Sequence, residues 1–125
     1  MEEHEVYAAI GDDGFRELVA AFYTRVPEDP VLGPMYPQGD FAGAEKRLRG
    51  FLVYRFGGPQ TYIEERGHPR LRMRHAPFAV TEQAREHWLR LMSAALDETG
   101  IAEEAKTVLR NFFRDTASFL INRTD

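Results

Sequence analysis

Apolar residues recur along this chain mostly at intervals of three and four, the spacing that places side chains on one face of an α-helix. The first such stripe consists of Phe15, Leu18, Val19, Phe22, Tyr23 and Val26. Pro27 and Pro30 follow it directly, and proline cannot continue a helix. The pattern therefore predicts a first long helix that ends near Val26.

The segment 31–39 is rich in residues that interrupt regular structure. Its turn-forming and apolar residues are Gly33, Pro34, Met35, Tyr36 and Pro37. Glycine and proline so close together favour turns over a helix or a strand. We therefore predict a tight apolar corner between the first helix and the next.

Polar residues that can cap helices precede the later apolar stripes. Asp40 is the expected N-cap of a second helix, which Gly57 and Gly58 end. The apolar face of that helix consists of Phe41, Ala44, Leu48, Phe51 and Leu52. Thr81 is likewise expected to cap a helix that runs to about Glu98.

The remaining helical segments are shorter or lack a clear cap. Thr61 and Glu64 have the spacing of a capping box, which predicts a short helix through Arg66. Residues 71–76 are expected to form one or two helical turns, and a last helix is expected at about 103–122. No segment alternates with a period of two, so the predicted fold class is all-α.

Composition narrows the classes of protein that fit. With 125 residues, 43% of them hydrophobic, the chain fits one domain that spans residues 1–125. It contains no cysteine, so a bound metal would need nitrogen or oxygen ligands. The net charge of −4 is spread along the chain and predicts neither nucleic acid nor anionic lipid as a partner. No apolar run approaches the roughly 20 residues of a membrane span, so we expect a soluble, cytoplasmic protein.

The four histidines differ in their surroundings. His4 lies in a polar tail, His87 is expected on the flank of its helix at the surface, and His68 lies in a turn where it could cap the backbone. His75 follows the basic segment 70–74 and precedes an apolar stretch. A haem needs one neutral imidazole on an apolar face and cations near its propionates. From these residues alone, an iron ligand and an ordinary histidine are equally good interpretations of His75.

A second argument for a haem site comes from five aromatic residues, which lie on three predicted helices and in the predicted corner. They are Phe22, Tyr23, Tyr36, Phe51 and Trp88. Such a set is more often part of a core than of a cofactor site. However, Tyr23, Tyr36 and Trp88 each carry a hydrogen-bond donor that needs a partner when it is buried. A polar diatomic ligand is one candidate for that partner.

Several segments together resemble one known family, the group II truncated haemoglobins. The strongest similar segment runs from Gly57 through Phe78. Within it, Gly67–Phe78, which contains the sequence His-Pro-Arg-Leu-Arg-Met-Arg-His, is similar to the family's proximal segment. The other similar segments are Phe22-Tyr23, Met35-Tyr36-Pro37, Ala42–Glu45 and His87-Trp88-Leu89. The resemblance covers about residues 15–119.

The resemblance implies a two-over-two helical sandwich of the truncated globin type that encloses one haem b. His75 would be the proximal iron ligand, and the distal ligand-binding residues would be Tyr23, Tyr36 and Trp88. The distal pocket would also be lined by Phe22, Ala44, Leu48 and Phe51. Ala44 occupies the position where many globins have a distal histidine. Haem rim and propionate contacts are expected from Arg72, Arg74, Tyr62 and His68, although the arginines fit a solvated surface equally well.

The chain departs from the family near its N-terminus. Gly11-Asp12-Asp13-Gly14 replaces the paired glycines that often end the first helix of these proteins. This leaves the conformation of residues 1–13, and the length and angle of the first helix, open.

The implied function is reversible binding of oxygen and other diatomic ligands, including nitric oxide and carbon monoxide. Donors from Tyr23 and Trp88 would make oxygen release slow, which suits a store, a sensor or a redox catalyst better than a delivery carrier. A monomer and a homodimer fit equally well.

Two other functions remain open from the sequence. The first is turnover of nitric oxide or peroxide at the same haem, which would need an external reductase because the chain has no nucleotide-binding glycine motif. The second is a helical interaction module without haem.

Overall fold

The structure is a computed structural model, and it describes residues 1–36 and 39–124. Its α-helices are α1 (Val6–Arg25), α2 (Phe41–Arg55), α3 (Thr61–Arg66), α4 (Leu71–His75), α5 (Glu82–Glu98) and α6 (Glu103–Phe119). Single 3₁₀ turns occur at Glu3–Glu5, Val26–Glu28 and Gly33–Met35. Neither described range contains a β-strand, so the all-α prediction is confirmed. Pro37, which belongs to the predicted corner, lies outside the described residues.

The first helix begins earlier than its apolar stripe predicts. Residues 6–13 are helical, but Gly11 has φ 67° and ψ −178°, a conformation that kinks α1 and that favours glycine. The Tyr7 hydroxyl donates to the Asp12 carboxylate across this kink, at 2.8 Å. The Tyr7 amide also donates to the carbonyl of Phe56 at 3.0 Å, which fastens the N-terminal piece to the end of α2.

Two of the predicted helix caps are confirmed and one is wrong. The side chain of Asp40 accepts from the Gly43 amide at 3.0 Å, and that of Thr81 accepts from the Ala84 amide at 3.0 Å. Thr61 does not cap α3, because Gln60 occupies the N-cap position with near-helical dihedral angles and Thr61 is already the first helical residue. The predicted capping box at Thr61 therefore does not form, although the short helix does.

The core lies between two pairs of helices, α1 with α2 and α5 with α6. α1 packs against both α2 and α5, and α5 packs against α6. Fully buried residues come from all four helices and the turn after α2, among them Phe15, Leu18, Phe22, Leu52, Phe56, Met92, Leu96 and Leu109. Each large apolar side chain buried in this way contributes roughly 1.5–3 kcal/mol relative to an exposed one.

α3 and α4 are short and lie at the edge of this core. Tyr62 of α3 is buried against Phe51 of α2, with the ring centroids 5.7 Å apart. No residue of α4 is buried, and Met73 in it is 59% exposed. Within the described ranges, no helix is both long and apolar enough to cross a lipid bilayer.

Candidate functional site

A cavity of about 330 Å³ opens between the two helix pairs and is closed on one side by α4. Its size falls in the range of roughly 300–1,000 Å³ that is typical of small-molecule sites. The predicted site residues that line it are His75, Tyr23, Tyr36, Trp88, Ala44, Leu48, Phe51, Tyr62 and Arg74. Phe22, Arg72 and His68 are not among its lining residues.

His75 is the last residue of α4, and one nitrogen of its ring is already bonded. Nδ1 lies 2.8 Å from the carbonyl oxygen of Leu71, one turn earlier in the same helix. A carbonyl can only accept a hydrogen bond, so Nδ1 carries the proton and donates it. In the neutral form of the ring, the lone pair is therefore on Nε2, on the other side. A neutral imidazole fixed in this tautomer by a backbone carbonyl is the usual form of a metal-binding histidine.

The chain around His75 is fastened by hydrogen bonds, several of them from Arg74. Its guanidinium donates to the carbonyls of Pro69 at 2.6 Å, Arg66 at 2.9 Å and His68 at 3.2 Å. The carbonyl of His75 accepts from the Asn122 side chain at 3.2 Å. Arg74 thus holds the turn before α4, and Asn122 holds the end of α4.

Asn122 also pairs with the segment that follows α4. The backbone amide of Val80 donates to the side-chain oxygen of Asn122 at 3.0 Å. The backbone amide of Asn122 donates in turn to the Val80 carbonyl at 2.9 Å. The C-terminal segment is therefore bonded to both ends of the chain from His75 to Val80.

His68 caps the turn before α4, one of the alternatives that its sequence context leaves open. Its Nδ1 accepts from the Arg70 amide at 3.2 Å. Arg70 has φ 42°, in the left-handed region that residues other than glycine rarely adopt. The hydrogen bond from its amide helps to offset the cost of this conformation.

Arg72 lies away from the cavity lining, with its guanidinium carbon 5.3 Å from the centre of the Phe119 ring. Its pairing with a propionate, like that of Arg74, stays a prediction. The lining does include three arginines that the sequence argument missed, namely Arg47, Arg66 and Arg85. Helical spacing could have identified two of these arginines as lining residues. Arg66 lies four residues after Tyr62 and Arg85 three residues before Trp88, so each shares a helix face with a predicted site residue.

The apolar wall from α6 was also missed. Its lining residues are Phe112, Phe113, Thr116 and Ala117, and Leu120 follows them just after the helix. The aromatic pair in the last helix is visible in the sequence, but the apolar face of that helix alone does not distinguish a cavity wall from a core.

Tyr23 and Tyr36 place two hydroxyl groups together on the side of the cavity formed by α1 and the corner. The hydroxyl oxygens are 3.4 Å apart, and the rings meet edge to face with centroids 5.7 Å apart. Burial, with a further contribution from Tyr36, raises the pKa of Tyr23, and burial also raises the pKa of Tyr36. Both hydroxyls therefore keep their protons at neutral pH. Only one proton can lie between the two oxygens, so the other remains available to a third group.

Trp88 of α5 lines the same cavity and is held by aromatic contacts. Its ring is 5.0 Å from that of Phe22 and 5.3 Å from that of Phe113, measured between centroids. Phe22 is fully buried behind Trp88 and Tyr23 and supports them. In the described part of the chain, the hydrogen bonds do not include one from the Trp88 indole N–H. With no acceptor for it among the described residues, that donor can bond to a ligand in the cavity.

His87 is not the exposed surface residue that the sequence predicts. Its side chain is 17% exposed, and its Nδ1 lies 3.0 Å from a carboxylate oxygen of Asp29. Asp29 is 58 residues earlier in the chain, so no local pattern in the sequence could identify it as the partner.

The donor set fits a haem better than a bare metal ion. Among residues 1–36 and 39–124, no group of three or more histidine, aspartate or glutamate residues could hold a metal ion. One imidazole alone binds a metal weakly, whereas a porphyrin brings four nitrogen ligands of its own and needs only an axial one. The apolar walls suit the porphyrin, and the guanidinium groups of Arg47, Arg66 and Arg85 suit its propionates.

Comparisons with known proteins agree with this interpretation. The family model of bacterial-like globins matches residues 5–122. Group 2 truncated hemoglobin YjbI of Bacillus subtilis (strain 168) is 38% identical over 119 residues, which cover 95% of this chain and 89% of that protein.

Two solved structures are similar over nearly the whole chain. The hemoglobin of Chloroflexus aurantiacus is 47% identical with a TM-score of 0.90, over 94% of this chain and 98% of that one. The truncated oxygen-avid haemoglobin of Bacillus subtilis is 38% identical with a TM-score of 0.89, over 94% of this chain and 98% of that one.

Proposed function

Because this chain belongs to the bacterial-like globins and, within them, to the group II truncated haemoglobins, we propose that it binds haem b through His75 and reversibly binds oxygen. The observation that carries the proposal is the Nδ1 bond of His75 to the Leu71 carbonyl. That bond leaves Nε2 as the free ligand atom of a residue that lines the cavity.

When bound, haem supplies one open coordination position for a diatomic ligand. Trp88 and the Tyr23–Tyr36 pair then act on that ligand as hydrogen-bond donors. The tyrosine pair has one hydroxyl proton to spare, and the Trp88 indole N–H is a second donor. Each charge-assisted hydrogen bond in a dry pocket contributes on the order of 1.5–3 kcal/mol. We therefore expect tight oxygen binding and slow release. The similar truncated haemoglobin of Bacillus subtilis is oxygen-avid.

The other lining residues shape the pocket rather than donate. Ala44 is small, and Leu48 and Phe51 are apolar, so the space beside the donors excludes water and strengthens their hydrogen bonds. Arg47, Arg66, Arg74 and Arg85 line the cavity, and their guanidinium groups are candidates to pair with the propionates. The Tyr62 ring also lines the cavity and is a candidate at the rim. Arg72 and His68 remain candidates at the rim.

Substitution of the donors tests the oxygen-binding part of the proposal. Trp88→Phe and Tyr23→Phe should each raise the oxygen dissociation rate by about 10-fold or more, since roughly 1.4 kcal/mol corresponds to a factor of 10. Tyr7→Phe is the matched control, because the Tyr7 hydroxyl bonds to Asp12 on the N-terminal piece of α1. Unchanged rates in both donor variants, measured by stopped flow, would overturn the role of these residues.

The spare proton of the tyrosine pair also favours a second candidate function, turnover of nitric oxide or peroxide. The chain would then depend on an external reductase. Repeated consumption of nitric oxide, measured with oxygen, a reductase and excess reductant present, separates the two functions. A protein that only binds oxygen reacts with nitric oxide at most once per haem and is then left oxidised.

A further inference from the structure

We propose that Asp29 and His87 form a positioning pair that sets the separation of the two donors Tyr36 and Trp88 across the cavity. The inference rests on the proposed function, because it concerns how those donors meet a ligand. Asp29 lies in the segment between α1 and α2, which carries Tyr36. His87 immediately precedes Trp88 on α5.

Asp29 organises the segment that leads to Tyr36. One of its carboxylate oxygens accepts from the amides of Val31 and Leu32, both at 2.9 Å, and its carbonyl accepts from the Gly33 amide at 2.9 Å. The side chain is only 8% exposed. These bonds fix the turn formed by residues 29–33. The 3₁₀ turn Gly33–Met35 and then Tyr36 follow it.

His87 connects that turn to α5. Its Nδ1 lies 3.0 Å and 3.1 Å from the two carboxylate oxygens of Asp29 and donates to them. Hydrogen bonds to a carboxylate are among the stronger ones in proteins, and they strengthen further when water is excluded. The same carboxylate therefore holds the Tyr36 segment through its amides and α5 through His87.

The charge that this contact needs is present at neutral pH. Burial by itself would raise the pKa of Asp29, but the hydrogen bonds from the Leu32 amide, from His87 and from the Val31 amide outweigh it and hold the pKa below its ordinary value. Asp29 is thus a carboxylate that stays ionised in a largely buried position.

The two donors differ in how firmly the rest of the chain holds them. Trp88 is packed against Phe22 and Phe113 on a long helix. Tyr36 follows a single 3₁₀ turn. The hydrogen bond that its backbone amide donates to the Gly33 carbonyl is long, at 3.3 Å. The contact between Asp29 and His87 therefore acts mainly on the position of Tyr36 relative to Trp88. If the distance between these two donors matches the size of the ligand, both can bond to it.

The test compares His87→Phe, which keeps the ring but removes the donor, with His87→Gln, which keeps a donor. It uses the haem-loaded ferrous protein with carbon monoxide bound. The chain contains one tryptophan, so the indole N–H signal in a proton–nitrogen NMR spectrum belongs to Trp88. The infrared stretch of the carbon monoxide reports the donors that face it. His4→Phe is the matched control, since His4 is exposed at the N-terminus.

We expect His87→Phe to shift both the Trp88 indole signal and the carbon monoxide stretch, and to raise the oxygen dissociation rate by about threefold. His87→Gln should recover most of each change, which loss of packing alone would not explain. Asp29→Asn keeps an acceptor for the two amides but removes the charge, and it should shift both signals in the same direction.

Two results would overturn the positioning role. The first is a folded His87→Phe protein whose two signals match the wild type. The second, decisive if His87→Phe fails to fold, is a folded Asp29→Asn protein whose two signals match the wild type. Either result leaves the proposed function standing if Trp88→Phe still accelerates oxygen release. If the wild type takes up no haem, the proposed function itself fails.

Discussion

The two sides of the cavity are built in different ways. The distal side, formed by α1, α2 and α5, is continuous with the core, and Phe22 behind the donors is fully buried. The proximal side, formed by α4 and the segment up to Val80, contains no buried residue. It is held by hydrogen bonds from Arg74 and Asn122 instead.

This difference shows which part of the site is ready before a cofactor arrives. Packing against the buried Phe22 ring holds Tyr23 and Trp88, and the bonds of Asp29 hold the segment that carries Tyr36, whether or not the cavity is filled. The proximal segment has little apolar burial of its own, so haem would supply much of what holds it. Regions with few buried contacts open locally at low free energy. We therefore expect a preformed distal side and a proximal side that becomes rigid on haem binding.

The largest expected effect concerns stability. Phe22→Ala removes a fully buried ring and should lower the free energy of unfolding by about 3–5 kcal/mol. Met73→Ala is the matched proximal change; since Met73 is 59% exposed, it should change that free energy by less than about 0.5 kcal/mol. Denaturant titration of both variants measures the contrast. Equal losses would show that the two sides are equally part of the core.

The next effect is a change in local opening when haem is removed. Hydrogen exchange of the backbone amides in residues 71–80 should become at least about 100-fold faster in the haem-free protein, because bound haem stabilises this segment by mass action. Amides of α1 near Phe22 and of α5 near Met92 should change much less. Uniform acceleration along the chain would contradict a preformed distal side.

A smaller effect is expected from Asn122→Ala. The substitution removes the donor to the His75 carbonyl and the acceptor for the Val80 amide. Loss of about 1 kcal/mol per hydrogen bond should make haem dissociation roughly 5- to 30-fold faster, measured by transfer to an excess of an acceptor globin. Asn111→Ala is the matched control, because Asn111 is exposed and, among the described residues, its side chain accepts a hydrogen bond from Arg114 alone, on the same helix. Equal haem dissociation rates for the two variants would show that the Asn122 hydrogen bonds do not help to retain haem.

The smallest effect is a pH dependence on the distal side. The pKa of Asp29 is lowered in the folded state, so the unfolded chain binds a proton more readily than the folded one. The stabilisation is therefore complete above the ordinary aspartate pKa of about 3.9 and is lost as the pH falls through the lower pKa of the folded state. Between pH 5 and pH 3 the wild type should lose more stability than Asp29→Asn. Parallel pH profiles would argue against an ionised Asp29.

Local patterns in the sequence predicted most of the fold, whereas the distal roles of Tyr23, Tyr36 and Trp88 came from the resemblance to a family. The stripe Phe15–Val26 and the caps Asp40 and Thr81 follow from helical spacing and short-range hydrogen bonding, and all three are observed. The capping box at Thr61 was predicted wrongly, because a one-residue difference in where α3 starts moves the hydroxyl out of the capping position.

Contacts between distant residues were beyond such patterns. His87 meets Asp29 across 58 positions, and Asn122 meets His75 across 47. Nothing in the composition near either residue indicates the partner, since the pairing depends on how whole helices pack. His75 became the candidate iron ligand through the similarity of residues 67–78 to a family, whereas the residues alone left it undecided.

The central claim is that the Nε2 atom of His75 is the axial ligand of a haem, and one absorption measurement tests it most directly. Wild type and His75→Gly are titrated with haem in the ferrous state, with and without added imidazole. We predict a sharp Soret band for the wild type, its loss in His75→Gly, and its recovery when imidazole enters the space left by the side chain. A His75→Gly protein that binds haem with the wild-type spectrum and affinity would contradict the claim.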